Sequence, residues 1–477
     1  AIESWSANPN LRILGNPKDP ATRGLLAMII GKLVYSGSKL SLVNLFNDTC
    51  LWEVCGVTQR GERPDVETCC YQPLDDLLQR QSAIQKKLAR RHLSNGTLVL
   101  YDMTSVYLEG EYSESEIVAY GRSKADGKRG CAQVVIGLVC NAEGCPVGVE
   151  VFRGNTKDES TVVEKIAQIR NDFGIEEIIF VGDRGMVTQA NYDKVKDTKG
   201  LSTITALTHP QILKLIDEKH IEAELFDETK IVEMIDPVDS QRRLCLCRNP
   251  ESAARETQTR QELLEQTRKA LDKIALGTTR MSASAEQVGE RVGKVLNRFK
   301  MGKFVDWKLT DIEVVKGKPA KSMQWQFDQA AIDRESLIDG CYIVAANVCK
   351  ERLDSEQTVA AYKSLSKVEQ AFRNLKTVQI DLRPIYHHRD DRIKAHVLLC
   401  MLSYYLQWHM KQRLEPLFAA DGKHENRRWT FQAVLARLSS IRKCRATLAG
   451  VEFDHSDTPD AEQSTILRHL GVRLPLK

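Results

Sequence analysis

Between residues 97 and 207 the chain sets down five apolar, β-type runs separated by only two helical stretches. That order limits the available folds more than any other feature of the sequence. The runs are TLVLYDMTSVYLE, CAQVVIGLVC, PVGVEVFRG, IEEIIFVGDRGM and LSTITAL. The first three suit an antiparallel meander, with a turn at NAEG. DESTVVEKIAQIRNDFG then shows helical spacing, with Asp158 as the expected N-cap and Gly174 as the stop. VTQANYDKVKD is a short helix before the fifth strand. The resulting order, βββαβαβ, predicts a mixed five-stranded sheet flanked by helices.

That order is the one of the RNase H-like fold, and the rest of the chain arranges itself around it. Residues 1–96 read as a helical N-terminal region, because ATRGLLAMIIGKLVY and LDDLLQRQSAIQKKLARRHL place apolar residues three and four apart. Residues 97–208 are the first part of the core. Residues 209–330 break the pattern with a long amphipathic helix and alternating stretches, and are expected to be an inserted α+β subdomain. Residues 331–400 resume the core, with DGCYIVAANV as a returning strand and DSEQTVAAYKSLSKVEQAFRNLK as one helix. Asp354 and Gln357 supply a capping box for that helix. Residues 401–477 are expected to be a helical C-terminal region.

Composition sets outer limits on function. The 477 residues carry 68 basic and 64 acidic side chains, for a net charge of +4, which neither demands nor forbids a nucleic-acid partner. Basic clusters stand out locally, as in QKKLARRHL and NRFKMGK; the basic helix at 86–91 makes 1–96 the expected DNA-binding region, the alternative being packing with its lysine stems along a core. The longest apolar runs fall well short of the ~20 residues of a membrane span. No Cys-x-x-Cys pair occurs among the 13 cysteines, so spacing offers no zinc signature and reduced thiols are expected. The start at Ala1, in place of methionine, is expected to reflect processing or trimming.

Two of the β-type runs carry an aspartate at or near the end, Asp102 in LVLYDMTS and Asp183 in FVGDRGM. An unpaired buried carboxylate costs several kcal/mol or takes up a proton, so each needs solvent or a partner. Taken singly, an aspartate at a strand end is a turn former and Glu369 is a surface glutamate. Their order changes that reading: two strands that neighbour each other in the expected sheet, then a helix after the insertion. On one continuous helix Tyr362, Glu369 and Lys376 would return to within roughly 20° of one another, about 10 Å apart. Three converging carboxylates repel unless cations hold them, and hard oxygen donors select Mg²⁺, or Mn²⁺ as a substitute. Two such ions about 4 Å apart suit in-line phosphoryl displacement.

These blocks resemble the DDE transposases of bacterial insertion sequences, in the group whose core is split by an insertion before the glutamate. That group's signature, Tyr-x2-Arg-x3-Glu-x6-Lys, is met by Tyr362, Glu369 and Lys376, with Leu365 where the arginine would stand. The stretches GRSKADGKRGCAQVVIGLVCNAEGCPVGVEVFRGNTKDEST and RPIYHHRDDRIKAHVLLCMLSYYLQWHM are similar to the subgroup with long spacing between blocks. The resemblance implies a DNA transposase with Asp102, Asp183 and Glu369 as catalytic metal ligands for two Mg²⁺ ions. It implies cleavage at transposon ends through a hairpin intermediate, then strand transfer into target DNA, by a homodimer in a synaptic complex acting on nucleoid DNA in a prokaryotic cytoplasm. Tyr362 and Lys376 would contact DNA phosphates. Lys363, Lys367 and Arg373 are candidates to replace the missing arginine. Arg184 is a candidate phosphate contact or a salt-bridge partner of a carboxylate. Trp307 and Trp325 are candidates for stacking on a flipped base, or else core residues of the insertion. Two rivals remain: an RNase H-type structure-selective nuclease that never joins strands, and a domesticated DNA-binding protein without catalysis.

Overall fold

The computed structural model describes residues 12–59, 61–121, 131–226, 230–278, 284–315, 318–376, 380–421 and 428–472. Residues 122–130 of the GRSKADGKRG stretch lie outside the described residues. The chain divides into two compact units, 1–203 with 363–477, and 204–362.

In the first unit, strands β1 (Thr97–Tyr107), β2 (Ala132–Asn141), β3 (Pro146–Arg153), β4 (Ile178–Gly182) and β5 (Leu201–Ala206) stand in the order β3-β2-β1-β4-β5. The division between the units falls inside β5. The meander β1-β2-β3 is antiparallel, whereas β1 and β4 run parallel. β2 is buried along almost its whole length, so it carries near-continuous apolar residues in place of alternation. Gly137 on β2 lies opposite Met103, and a Cβ there would come within 2.5 Å of the Tyr101 hydroxyl, so the bare backbone leaves room for that ring.

Helices cover the sheet: α1 (Pro20–Tyr35), α2 (Gln72–Gln79), α3 (Gln81–His92), α4 (Val162–Phe173), α5 (Gln189–Val195), α6 (Leu365–Lys376) and α7 (Asp390–Ala420). α7 buries Val397, Leu398, Leu399, Met401 and Leu402 and packs on α1, α2 and β3. α3 buries Ile84, Gln85, Leu88 and Ala89, and Gln85 both donates to the Val149 carbonyl (3.3 Å) and accepts from its amide (3.2 Å). The basic residues of this helix therefore ride on a face opposite a packed one. α4 ends at Gly174 with φ 69°, as its sequence suggests, but it does not begin at an Asp158 cap. Residues 158–160 form a 3-10 turn and the helix opens at Val162 after Thr161. The Thr161 hydroxyl serves tertiary contacts instead, with Tyr101 Oη at 3.1 Å and Met103 Sδ at 3.0 Å.

Two imidazoles, His396 buried and His387 half-buried, predict how this unit responds to acid. His387 Nε2 and His396 Nδ1 lie 3.0 and 3.3 Å from Lys39 Nζ, beside Lys32, Arg392, Asp75 and His388. Burial, aided by Lys39, lowers the His387 pKa to about 3 and holds His396 well below the usual histidine range. Above the unfolded value of about 6.5 neither state is protonated and stability is full. As pH falls from there toward 3 the unfolded chain binds protons alone, and stability drops by about 1.4 kcal/mol per pH unit for each such proton. The double variant His387→Gln/His396→Gln should flatten unfolding free energy against pH between 6 and 4. A slope equal to wild type would mean that these imidazoles titrate normally.

In the second unit, β6 (Val232–Ile235), β7 (Arg243–Arg248) and β10 (Cys341–Ala346) are antiparallel neighbours, and β10 also pairs with 204–206 of β5. Leu207, Ile212, Leu215, Leu244, Leu246 and Ile343 form their core. A second core gathers Leu271, Ile274, Val288, Val292, Val305 and Met323 between the helices Pro250–Thr278 and Ala285–Phe299 and the hairpin β8 (Val305–Val315), β9 (Lys318–Phe327). This unit is longer than the 209–330 insertion expected from the sequence. DGCYIVAANV, expected to return to the core, forms β10, which pairs with 204–206 of β5 on one side and with β7 over its whole length on the other. The C-terminal region likewise adds a strand pair, Lys443–Leu448 with Val451–Ser456, among its helices.

Candidate active site

The register of β1 and β4 places Leu100 opposite Val181 and Tyr101 opposite Gly182. The next residue on each strand is acidic, Asp102 and Asp183. Parallel neighbours thus carry both acids just past the end of the β1–β4 ladder, with Asp102 midway along β1. Asp102 and Thr104 share one face of β1, since side chains alternate along a strand. Tyr101 and Met103 point to the other, where they meet Thr161. Asp102 is half-buried and Asp183 is exposed. Each accepts a hydrogen bond from the following amide, Met103 N and Arg184 N, both at 2.7 Å, which fixes one carboxylate oxygen of each.

α6 packs against β1 through Val368, Phe372 and Leu375 and brings the third acid. Asp102, Thr104, Glu369, Phe372, Arg373, Lys376 and Arg383 line one open cavity of ≈ 280 Å³. Glu369 and Arg373 are exposed on its rim, and the Lys376 ammonium donates to the Thr104 hydroxyl. Arg383 lies 5.7 Å over the Tyr107 ring. Asp183 is not among the residues lining this cavity. The three carboxylates do not close to within 4.8 Å of one another; among the described residues only His92, Cys145 and His409 do so as a set of three.

The remaining candidates fall in different places. Arg184 is exposed beside Asp183. Lys367 donates to the Ala142 carbonyl at 2.6 Å, holding α6 to the β2–β3 turn. Leu365, at the motif's arginine position, is a buried residue at the start of α6. Tyr362 does not share a continuous helix with Glu369 and Lys376, as the sequence had suggested. The chain turns at Ser364, between helix Ser355–Lys363 and α6, and Tyr362 belongs to the second unit. Ser366 Oγ donates to the Lys363 carbonyl at 2.8 Å, taking up an acceptor at the end of the first of these helices. Trp307 and Trp325 face each other across β8 and β9. Trp307 is 37% exposed, while Trp325 packs on the second-unit core, edge-on to Phe327 at 5.1 Å.

Two cavity residues escaped sequence reasoning. Thr104 was signalled by the period-two alternation from Asp102. Nothing local marked Arg383, which reaches the site only through tertiary packing.

The donor set tests the fit of a metal. All three acids offer hard oxygens, which suits a divalent cation such as Mg²⁺ or Mn²⁺. A strand order of β3-β2-β1-β4-β5 in a mixed sheet flanked by helices, with Asp102 midway along β1, Asp183 just after β4 and Glu369 on the helix packed on β1, is an RNase H-like architecture. The family described as transposase DDE domain matches residues 94–406, and the chain belongs to it. That family generally uses divalent metal ions. No curated protein matches the chain. Among solved structures it is similar to a Mos1 transposase paired-end complex with left transposon end, at 12% identity and TM-score 0.17. That likeness covers 35% of this chain and 58% of the Mos1 chain, less than two thirds of its length. A piggyBac transposase synaptic complex with hairpin DNA is also similar, at 9% identity and TM-score 0.29, covering 89% of this chain and 82% of that one. Among the described residues no helix is long and apolar enough to cross a membrane.

Proposed function

We propose that the chain is a DNA transposase that cuts transposon ends and joins them to target DNA. The observation that carries this reading is the β1–β4 register, in which Asp102 and Asp183 are the next residues of the two strands just past their shared ladder, with Glu369 on the helix packed on β1. In this reading Asp102, Asp183 and Glu369 hold two Mg²⁺ ions. Such ions, when bound, activate an attacking hydroxyl and stabilise the leaving oxygen of an in-line phosphoryl displacement. The chain's own residues supply the rest. Lys376 and Arg373 neutralise the DNA phosphate in the cavity, with Thr104 holding the Lys376 ammonium in place. Tyr362 and Arg184 are further phosphate contacts. Of the two tryptophans, the exposed Trp307 offers the stacking surface for a base displaced during hairpin formation, worth about 1–3 kcal/mol, and Trp325 holds the hairpin that presents it. A homodimer pairs two ends in one synaptic complex.

The test is a plasmid carrying a marker between the sequences that flank this reading frame, incubated with the protein, Mg²⁺ and a second plasmid. A transposase yields cut ends and joined product. Cut ends without joined product would make the protein a nuclease, and DNA binding without cutting would make it a non-catalytic descendant.

Lys376→Ala should weaken end binding and reduce the slope of log affinity against log salt by about one. The Lys376 ammonium also bonds the Thr104 hydroxyl, so the melting temperature of the variant is followed as the control for folding. An unchanged salt slope would place Lys376 away from the DNA.

A further inference from the structure

We propose that His92, Cys145 and His409 form a zinc site that clips helix α3, the β2–β3 turn and helix α7 together. One ligand atom from each lies within 4.8 Å of the other two, which makes this set unique among the described residues. Two imidazole nitrogens and one thiolate are the donor mixture that borderline-soft zinc takes, and three protein ligands leave a fourth position for solvent. Ligand atoms around tetrahedral zinc stand on the order of 3.5 Å apart, given metal bonds of about 2.0–2.3 Å, so the set needs only a small closure.

The surroundings have unspent ligand capacity. His409 Nε2 is buried and has no hydrogen-bond partner. Cys145 is fully buried, and its thiol makes only a weak 4.0 Å contact with the Pro146 carbonyl. The turn that presents it is pinned, because the Asn141 side chain accepts from Cys145 N at 2.8 Å and from Glu143 N at 3.1 Å. Tyr405 Oη lies 3.0 Å from His92 Nε2, and its ring and that of Trp408 flank His409 at 4.5 and 5.0 Å. These aromatic rings fix the orientation of the imidazoles, as outer-shell neighbours of a metal site do. Burial raises the Cys145 thiol pKa, and a divalent cation is what would offset that by favouring the thiolate. The three ligands come from distant parts of the chain, so no sequence spacing announces them.

Full-length protein would be loaded with zinc sulfate, desalted, and its metal content compared with that of Cys145→Ser and His409→Gln. Wild type should retain one zinc per chain that both variants lose, and zinc should raise the melting temperature of wild type alone. Cobalt(II) loaded in place of zinc should give a thiolate-to-metal charge-transfer band that Cys145→Ser abolishes. The comparison between proteins removes loose binding at the exposed Cys50, Cys349 and Cys444. If Cys145→Ser fails to fold, His409→Gln carries the test, since its Nε2 has no hydrogen bond to lose. Equal zinc retention by wild type and the folded variants, or cobalt binding without the thiolate band, overturns the proposal.

Discussion

Asp102→Asn, Asp183→Asn and Glu369→Gln should each lower strand cleavage by about a hundredfold to a thousandfold or more and leave end binding nearly intact. Each change keeps the shape of the side chain and removes its charge. The fold should tolerate all three. Asp102 and Asp183 each use one oxygen to accept from the next amide, at 2.7 Å, and an amide oxygen accepts equally well. Glu369 is exposed on α6, at the edge of the packed stripe of Val368, Phe372 and Leu375. Without metal, loss of one negative charge relieves repulsion among the acids, so the melting temperature should stay level or rise. With Mg²⁺, wild type should gain thermal stability that the variants do not. A variant that cuts at the wild-type rate would remove that residue from the site. Loss of cutting together with loss of folding would instead mark a structural role.

Arg243→Met should destabilise the second unit by about 3–5 kcal/mol, the range found when one partner of a buried charged network is removed. Arg243 is nine-tenths buried on β7 and serves several groups at once. Its guanidinium donates to the Val348 carbonyl at 2.8 and 3.0 Å, to the Leu353 carbonyl at 2.8 Å and to Glu233 at 3.1 Å. It thereby fastens β6, β7 and the segment between β10 and helix Ser355–Lys363. Methionine fills the space but leaves those carbonyls without a donor. Glu233 keeps a second cation, Lys350, at 3.4 Å, so the carbonyls account for much of the loss. Arg243→Lys should recover little, because one ammonium cannot span the fork. Denaturant unfolding of the full chain measures this. A loss below about 1 kcal/mol would put the cluster in the class of surface ion pairs.

Much of this was legible in the chain. Five apolar runs in the order of 97–207 became β1 to β5, because burial on both faces demands near-continuous apolar sequence and short turns demand Gly and Asn at fixed places. Asp102 and Asp183 stood out because a carboxylate in such a run needs a reason, and Glu369 because it lies beside an apolar helical stripe. The start of α4 was misplaced: Asp158 suits an N-cap, but the helix opens at Val162 after Thr161, whose hydroxyl is taken by tertiary contacts with Tyr101 and Met103. The break at Ser364 was equally hidden, because a single serine does not cancel helical periodicity on either side.

What the sequence by itself determined is the set of elements and the residue types at their ends: local propensity and side-chain period act over a few neighbours and leave their mark there. The tertiary structure alone decided which ends meet. It set Asp102 next to Asp183 through a strand register, brought Arg383 into the cavity, enlarged the second unit by pairing β10 with β7, and gathered His92, Cys145 and His409 from three separate elements. Each of these contacts joins residues far apart in the chain, where burial of a shared core fixes the geometry and no local pattern encodes it.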